Sequence, residues 1–532
     1  MTPALARAQQ AVPATLSLDD AIRIATHESE VLQISRAGVT RAAGQLKQAR
    51  SQYYPQLNSS LAYNRTLRSQ FSALAGSAPA DTATVPAPQS VCAPRIAANA
   101  TAAERAAALA QASTCAAAQG IDFSKVGFGA RNQYTFGLAL SQSVFSGGRI
   151  SGLAAAADAQ QRSAQIDLGS QRAQLALDVT QAYFDAVLAD RLVVIADTSL
   201  AQTEELLRQT RVARQVGNES EFDLLRATVS RDNQRPVLIT RRGDRDVAYL
   251  RLKQLLNMPL DAPLQLTTPI DEPAAITNII AASAVSGSET ASAAADTTIA
   301  RRAPVRESEE AVRAQEGQLK SARADLLPSL SLTSNYQRLF FPNSALPTLS
   351  QYSENWTVGG SLTFSLFSGG RVSGQIEVAQ ANLDEARARL QQSRELASLD
   401  TRVALNQLEA AQASFAASRG TAQQAQRAYS IDQLRYREGL STQTDLTQSR
   451  LLLEQAVANQ AQSARDLAVA RARMALIRDL PINTAALGAA AQRAATQQQQ
   501  AQQQQQAQSQ QQRTQSSAAG STGAGPIGSP TP

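Results

Sequence analysis

The 532-residue chain has one histidine, one tryptophan, three methionines, two cysteines and four lysines, and aromatics make up only 4% of it. Each scarcity excludes something. His27 has no cysteine or carboxylate cluster at metal-ligand spacing, and neither a zinc motif nor a nucleophile elbow occurs elsewhere. Cys92 and Cys115 lie 23 residues apart, far from the C-x-x-C spacing of zinc or thiol redox sites. No run of about 18 apolar residues exists, which excludes a transmembrane helix and leaves a β-barrel open. The net charge of +6 comes from 50 basic and 44 acidic residues that are interspersed, without the basic, aromatic-laced stripe of a nucleic-acid binder. The chain is therefore expected to be neither an enzyme nor a nucleic-acid binder, and to need no cofactor. Residues 1–14 contain no charged segment followed by an apolar one, so 1–15 reads as the remnant of a signal or processing region.

What is abundant is alanine, in long tracts of helical period. The chain is also duplicated. GQLKQAR at Gly44–Arg50 recurs as GQLKSAR at Gly317–Arg323, each followed five residues on by Pro55 or Pro328. FSGGRISG at Phe145–Gly152 recurs as FSGGRVSG at Phe367–Gly374, and Gly217 with Asp223 recurs as Gly439 with Asp445, at a constant offset of 222. The first copy carries 51 extra residues, which fall within the Pro/Ala/Thr-rich stretch 65–132 and are expected to form a long loop.

Each copy changes period in the same order. Residues 18–52 and 303–326 are helical in pattern; each is followed by Pro-x-Leu and two runs of about ten residues with period-two alternation. Leu57, Leu61 and Tyr63 alternate with Asn58, Ser60 and Asn64, and Trp356, Val358 and Leu362 alternate with Thr357, Gly359 and Ser361. That length and alternation suit transmembrane barrel strands, apolar toward lipid and polar toward a lumen. From Gly148 to Gly217 and from Gly370 to Gly439 run 69 residues almost free of helix breakers, with a heptad seam that includes Leu175, Val179, Ala182, Ala186 and Ala189. A returning helix follows each tip glycine, so Gly217 and Gly439 are expected to cap two antiparallel coiled-coil hairpins. Pro236 should kink the first returning helix, where the second has Ala458. Four strands cannot satisfy their edges in lipid, so oligomerisation must close the barrel; three chains would supply twelve strands. The competing reading is a soluble coiled-coil scaffold with a small sheet.

Four features in order, three of them duplicated, carry a specific resemblance: LSLDDAIRIA at Leu16–Ala25, the Pro-x-Leu strand starts, the FSGGR turns and the G-x5-D-L tips. Over about Leu16 to Pro481 the chain resembles TolC-type outer membrane efflux proteins. The resemblance implies a mainly α chain with a transmembrane β-barrel: a channel-tunnel with four strands and long coiled-coil helices per chain. Its twelve-stranded barrel, closed by trimerisation, would lie in the outer membrane of a Gram-negative cell, with the helices in the periplasm. It would be the passive exit duct of a tripartite efflux pump or type I secretion system, opened at its periplasmic tip when an adaptor and an inner-membrane transporter dock.

The resemblance also assigns residues. Asp445 maps onto an entrance aspartate of the family, Asp223 onto the polar network of the gate, and Tyr436 onto a gate tyrosine. An arginine of the family gate is replaced by Ser441 and a second entrance aspartate by Gln448, so the latch would be rewired through Arg214, Arg435 or Arg437. Six carboxylates around a trimeric mouth would attract cations and raise some of their pKa values. Val216, Gly217, Asn218, Glu438, Gly439 and Leu440 match the surface that adaptor hairpins contact. Gly147, Gly148, Gly369 and Gly370 would be flexible strand-to-helix joints. The repeats are placed at 16–262 and 303–487, with a linker at 263–302 and a disordered Gln/Ser/Gly/Pro-rich tail at 488–532. An extracellular position for 65–132 makes a Cys92–Cys115 disulfide the expectation.

Overall fold

The computed structural model describes residues 15–68, 96–118, 132–217, 219–270, 297–342, 352–483 and Gly488. In chain order the elements are β1 (Thr15–Leu16), α1 (Leu18–Glu28), α2 (Glu30–Ser51), β2 (Gln56–Arg65), α3 (Ala102–Ala118), β3 (Asn132–Phe145), α4 (Arg149–Gln215), α5 (Glu221–Leu255) and β4 (Gln265–Leu266). They continue with α6 (Ala303–Arg323), β5 (Ser329–Phe340), β6 (Ser353–Thr363), α7 (Arg371–Arg437) and α8 (Gln443–Leu476). Among the described residues no helix is long and apolar enough to cross a membrane. Two compact units result, and they do not follow the sequence repeats. One takes residues 47–154 and 318–377, the other 1–46, 155–317 and 378–532.

The first unit is built on a four-stranded antiparallel sheet of order β2-β3-β5-β6. Its register sorts side chains onto two faces. On one, Leu57 opposes Leu140, Leu61 opposes Phe136, Tyr63 opposes Tyr134 and Tyr336 opposes Trp356. On the other, Ser60 opposes Gly137, Ser331 opposes Ser361 and Asn335 opposes Thr357. The apolar face stays open in a single chain, with Leu61 78% and Trp356 72% exposed. Both edge strands, β2 and β6, have one side unpaired among the described residues. The stretch after β2, expected to be loop, contains the 17-residue helix α3. Ten of its residues are alanine, the strongest helix former, and Thr101 and Glu104 cap it reciprocally. The Cys92–Cys115 pairing lies outside the described residues: Cys92 is not among them, nor is the side chain of Cys115.

The second unit is helical. α4 and α7 each have 67 residues, about 100 Å at 1.5 Å per residue. The heptad seam faces inward on α4, where Val179, Ala182, Ala186 and Ala189 are buried. On α7, Ala397, Ala404 and Ala422 are buried while Leu390, Leu408 and Phe415 are only partly so. α5 runs through Pro236 as one element, with Pro236 and Asp232 both on the exposed side, where water can take the carbonyl the proline leaves unbonded. The expected single helix over 18–52 is two, because Ser29 adopts an extended conformation and closes α1 with its N–H on the Ala25 carbonyl, 3.0 Å away.

Sequence periodicity also missed a short parallel pairing of β1 with β4. Tyr183 holds it. Its buried hydroxyl donates to the Leu16 carbonyl at 2.9 Å and accepts from the N–H groups of Thr267 and Thr268 at 3.2 and 2.9 Å. Of the stretch expected to be a linker, Leu264, Leu266 and Ile270 pack against the main core, which includes Leu16, Val179, Tyr183 and Phe184.

In the same unit, burial pushes the Glu307 carboxyl up to about 7, with Asp167 adding repulsion and Arg306 opposing it. Its folded pKa exceeds the unfolded value, so its stabilising contribution is complete below pH ~4.5 and is lost as pH rises through ~7. Glu307→Gln should therefore raise stability at pH 8 by ~1–2 kcal/mol, allowing for water at a partly exposed carboxyl. Thermal melts should show the two proteins converging at pH 4.5.

Candidate functional site

The two helical hairpins turn at equivalent tips, and the local sequence explains each turn. After α7, Gly439 takes φ 69°; its N–H bonds to the Tyr436 carbonyl at 3.1 Å and that of Leu440 to the Arg435 carbonyl at 2.7 Å. This pair of bonds is a Schellman C-cap, which needs the left-handed conformation that glycine adopts without strain. Gly217, φ 83°, closes α4 with a 3.0 Å bond to the Arg214 carbonyl. Asn218 lies outside the described residues. Val216 and Leu440 project into solvent, 68% and 70% exposed, beside the exposed Glu438.

The returning helices begin with Ser220-x-x-Asp223 and Thr442-x-x-Asp445, a capping pattern already present in the sequence. Thr442 Oγ1 donates to Asp445 Oδ2 at 2.8 Å and accepts from the Asp445 N–H at 3.2 Å, and the Thr442 N–H bonds to the same carboxylate at 3.1 Å. Asp223 repeats the arrangement with Ser220, whose hydroxyl donates to its carboxylate and accepts from its N–H. Both aspartates are thus helix N-cap partners. Within one chain the Thr442 hydroxyl and N–H hold the exposed Asp445 carboxyl below its ordinary range, the opposite direction from that expected of a crowded ring.

Tyr436 links the hairpins. Its half-buried hydroxyl reaches Glu219 Oε1 at 3.4 Å and also meets Thr210. Burial, together with the Glu219 and Asp223 charges, pushes its pKa up, so it stays a neutral donor. Its ring packs on a small apolar cluster of Leu206, Tyr429, Leu446 and Leu453. Of the three arginines named as latch candidates, Arg214 pairs with Glu221 at 3.3 Å in its own hairpin and Arg435 bonds the Leu440 carbonyl at 3.4 Å beside Asp445. Arg437 acts electrostatically on Glu205 and Tyr429. The direct arginine link at the tip is Arg226, whose Nη1 donates to Thr444 Oγ1 at 2.5 Å.

Deeper between the hairpins lies a polar cluster that sequence reasoning missed. Gln234 of α5 donates to Ser199 of α4 at 2.9 Å and to Glu454 of α8 at 3.0 Å; Ser199 donates to Glu454 at 2.8 Å. Arg450 donates to Ser199 and pairs with Glu454 at 3.2 Å. The Arg450–Glu454 spacing was visible as an i,i+4 pair, but nothing local marks Ser199 or Gln234 as its partners.

The paired glycines occupy the strand-to-helix turns, Gly147 and Gly148 between β3 and α4, Gly369 and Gly370 between β6 and α7. All four have positive φ, from 58° to 97°. Ser151 and Ser373 bond back to the Gly148 and Gly370 carbonyls, each at 2.9 Å. No group of three or more metal-ligating side chains occurs among the described residues.

The sequence profile of the family described as "Outer membrane efflux protein" matches residues 118–258 and 294–478, more than half of the chain. No curated protein sequence matches it. Among solved structures, the fold is similar to the Campylobacter jejuni CmeC outer membrane channel, at TM-score 0.62 and 18% identity over 88% of this chain and 86% of that one. It is similar to the outer membrane protein VceC of Vibrio cholerae, at 0.62 and 17% over 86% and 95%. It is also similar to the open state of the Neisseria gonorrhoeae MtrE outer membrane channel, at 0.62 and 17% over 88% and 89%. The duplicated strand pairs, the glycine turns and the two long hairpins agree with the profile match: this chain belongs to the outer membrane efflux protein family, as an outer membrane channel for efflux pumps.

Proposed function

We propose that three copies assemble, the free edge of β2 in one pairing with the free edge of β6 in the next, to close a twelve-stranded barrel. The free edges and the uncovered apolar face support this, since neither is stable in lipid or water alone. The channel serves as the passive exit duct of a tripartite efflux pump or a type I secretion system. Its repeats, 16–262 and 303–487, each give one strand pair and one hairpin, with 263–302 between them and 1–15 and 488–532 outside.

The helix tips form the gate, with Asp223, Asp445 and Tyr436 at the constriction and residues 216–218 and 438–440 meeting a periplasmic adaptor that couples to an inner-membrane transporter. One observation carries this reading: at the tips the hairpins are joined by solvent-near polar links, Tyr436 to Glu219 and Arg226 to Thr444, which exchange easily for water. That the similar MtrE channel was solved in an open state supports a channel that opens by a change of conformation. In planar bilayers Tyr436→Phe should raise resting conductance severalfold, since a hydrogen bond that water can replace contributes a net ~0.5–1.5 kcal/mol. Asp445→Ala should weaken block by a trivalent cation. Unchanged conductance and block in both would remove the tips from the gate.

A further inference from the structure

Gln443 opens α8 at the second tip and is only 5% exposed, yet neither its amide nitrogen nor its amide oxygen has a hydrogen-bond partner among the described residues. Several other buried polar groups of the hairpins are paired. Gln234 bonds Ser199 and Glu454, Thr210 bonds the Leu206 carbonyl at 3.0 Å, and Ser449 bonds the Leu446 carbonyl at 3.2 Å. At the equivalent place in the first tip stands Glu221, exposed and ion-paired with Arg214. The Gln443 amide is shielded by its own chain, so a neighbouring subunit cannot reach it unless the hairpins move.

A buried amide without a partner raises the free energy of the conformation that buries it, and water relieves that cost once the hairpins part. We propose that Gln443 biases the tip toward opening, making the docked arrangement of the two hairpins a shut state that is held against a built-in cost. The proposal rests on the reading of the tips as the gate. It makes Gln443 a positioning residue that sets the balance between shut and open without touching cargo. The few polar links at the tip and the apolar cluster behind them hold the state shut.

Gln443→Leu and Gln443→Met keep the buried volume and remove the orphaned groups. Each should lower resting open probability in planar bilayers by about tenfold, ~1.4 kcal/mol, and raise the melting temperature of the detergent-solubilised protein. Tyr436→Phe, measured in parallel, separates the two readings. If it raises conductance while both Gln443 variants change neither conductance nor melting, the proposal is overturned and the gate stands. If no variant changes conductance but the Gln443 variants melt higher, the gate reading fails, and the proposed bias toward opening fails with it. Failure of both Gln443 variants to assemble would also overturn the proposal, because removing an unpaired amide cannot destabilise the state that buries it.

Discussion

Asp400→Leu should destabilise the helical unit by ~3–5 kcal/mol, because it strands a guanidinium that no water reaches. Arg302 is 0% exposed and Asp400 1% exposed, with Nη2 and Oδ2 2.8 Å apart. Arg302 also donates to Thr401 Oγ1 at 2.8 Å and to the carbonyls of Ala397 and Leu480 at 3.3 and 3.4 Å. The cluster ties the start of α6 to the middle of α7 and to the chain just beyond α8. Arg302→Met should cost less, since Arg473 still bonds Asp400 Oδ1 at 2.8 Å and keeps the carboxylate paired. The double variant should recover part of the loss, as buried ion pairs often exchange for apolar pairs with little net change. Thermal and denaturant unfolding of the purified protein provide the check; losses below ~1 kcal/mol in Asp400→Leu would show that the cation finds other partners.

Gly147→Ala should lower stability by ~2–4 kcal/mol and cut the yield of assembled channel, whereas Gly369→Ala should cost only ~1 kcal/mol. The two glycines occupy the same place in the duplicated FSGGR motif and have nearly the same φ, 62° and 58°. A Cβ at Gly147 would meet the Ala324 carbonyl oxygen at 2.7 Å and the Leu327 Cβ at 2.9 Å, while at Gly369 nothing lies within 4 Å. The turn at Gly147 is thus crowded by the chain beside it, and the equivalent turn at Gly369 is open. Equal losses in the two variants would refute that asymmetry, and the measurement is the melting temperature together with the amount of heat-resistant trimer on gels.

The candidate site was legible in part. Gly217 and Gly439 stood out because an uninterrupted helical pattern ends at each, and the residue after a helix is where glycine relieves strain. Asp223 and Asp445 stood out through repetition, but their bonds to Ser220 and Thr442 give them a capping role that the spacing already signalled. Helix α3 was hidden because the proline- and threonine-rich residues before its alanine tract made the whole stretch resemble a loop. The partnership of Tyr183 with Leu16, Thr267 and Thr268 spans up to 167 residues, and no local pattern encodes it.

By itself the sequence determined the duplication, the order of helix, strand pair and hairpin, and the lengths of the long helices. Those follow from periodicity and breakers, which act between residues close in the chain. Tertiary structure alone decided how equivalent residues differ: Gly147 crowded and Gly369 free, Glu221 ion-paired in solvent and the Gln443 amide buried without a partner among the described residues. It also decided which side chains join Arg450 and which surround Arg302. The reason is that steric clearance and hydrogen-bond satisfaction depend on atoms brought together from distant parts of the chain, and duplication copies a residue without copying its neighbours.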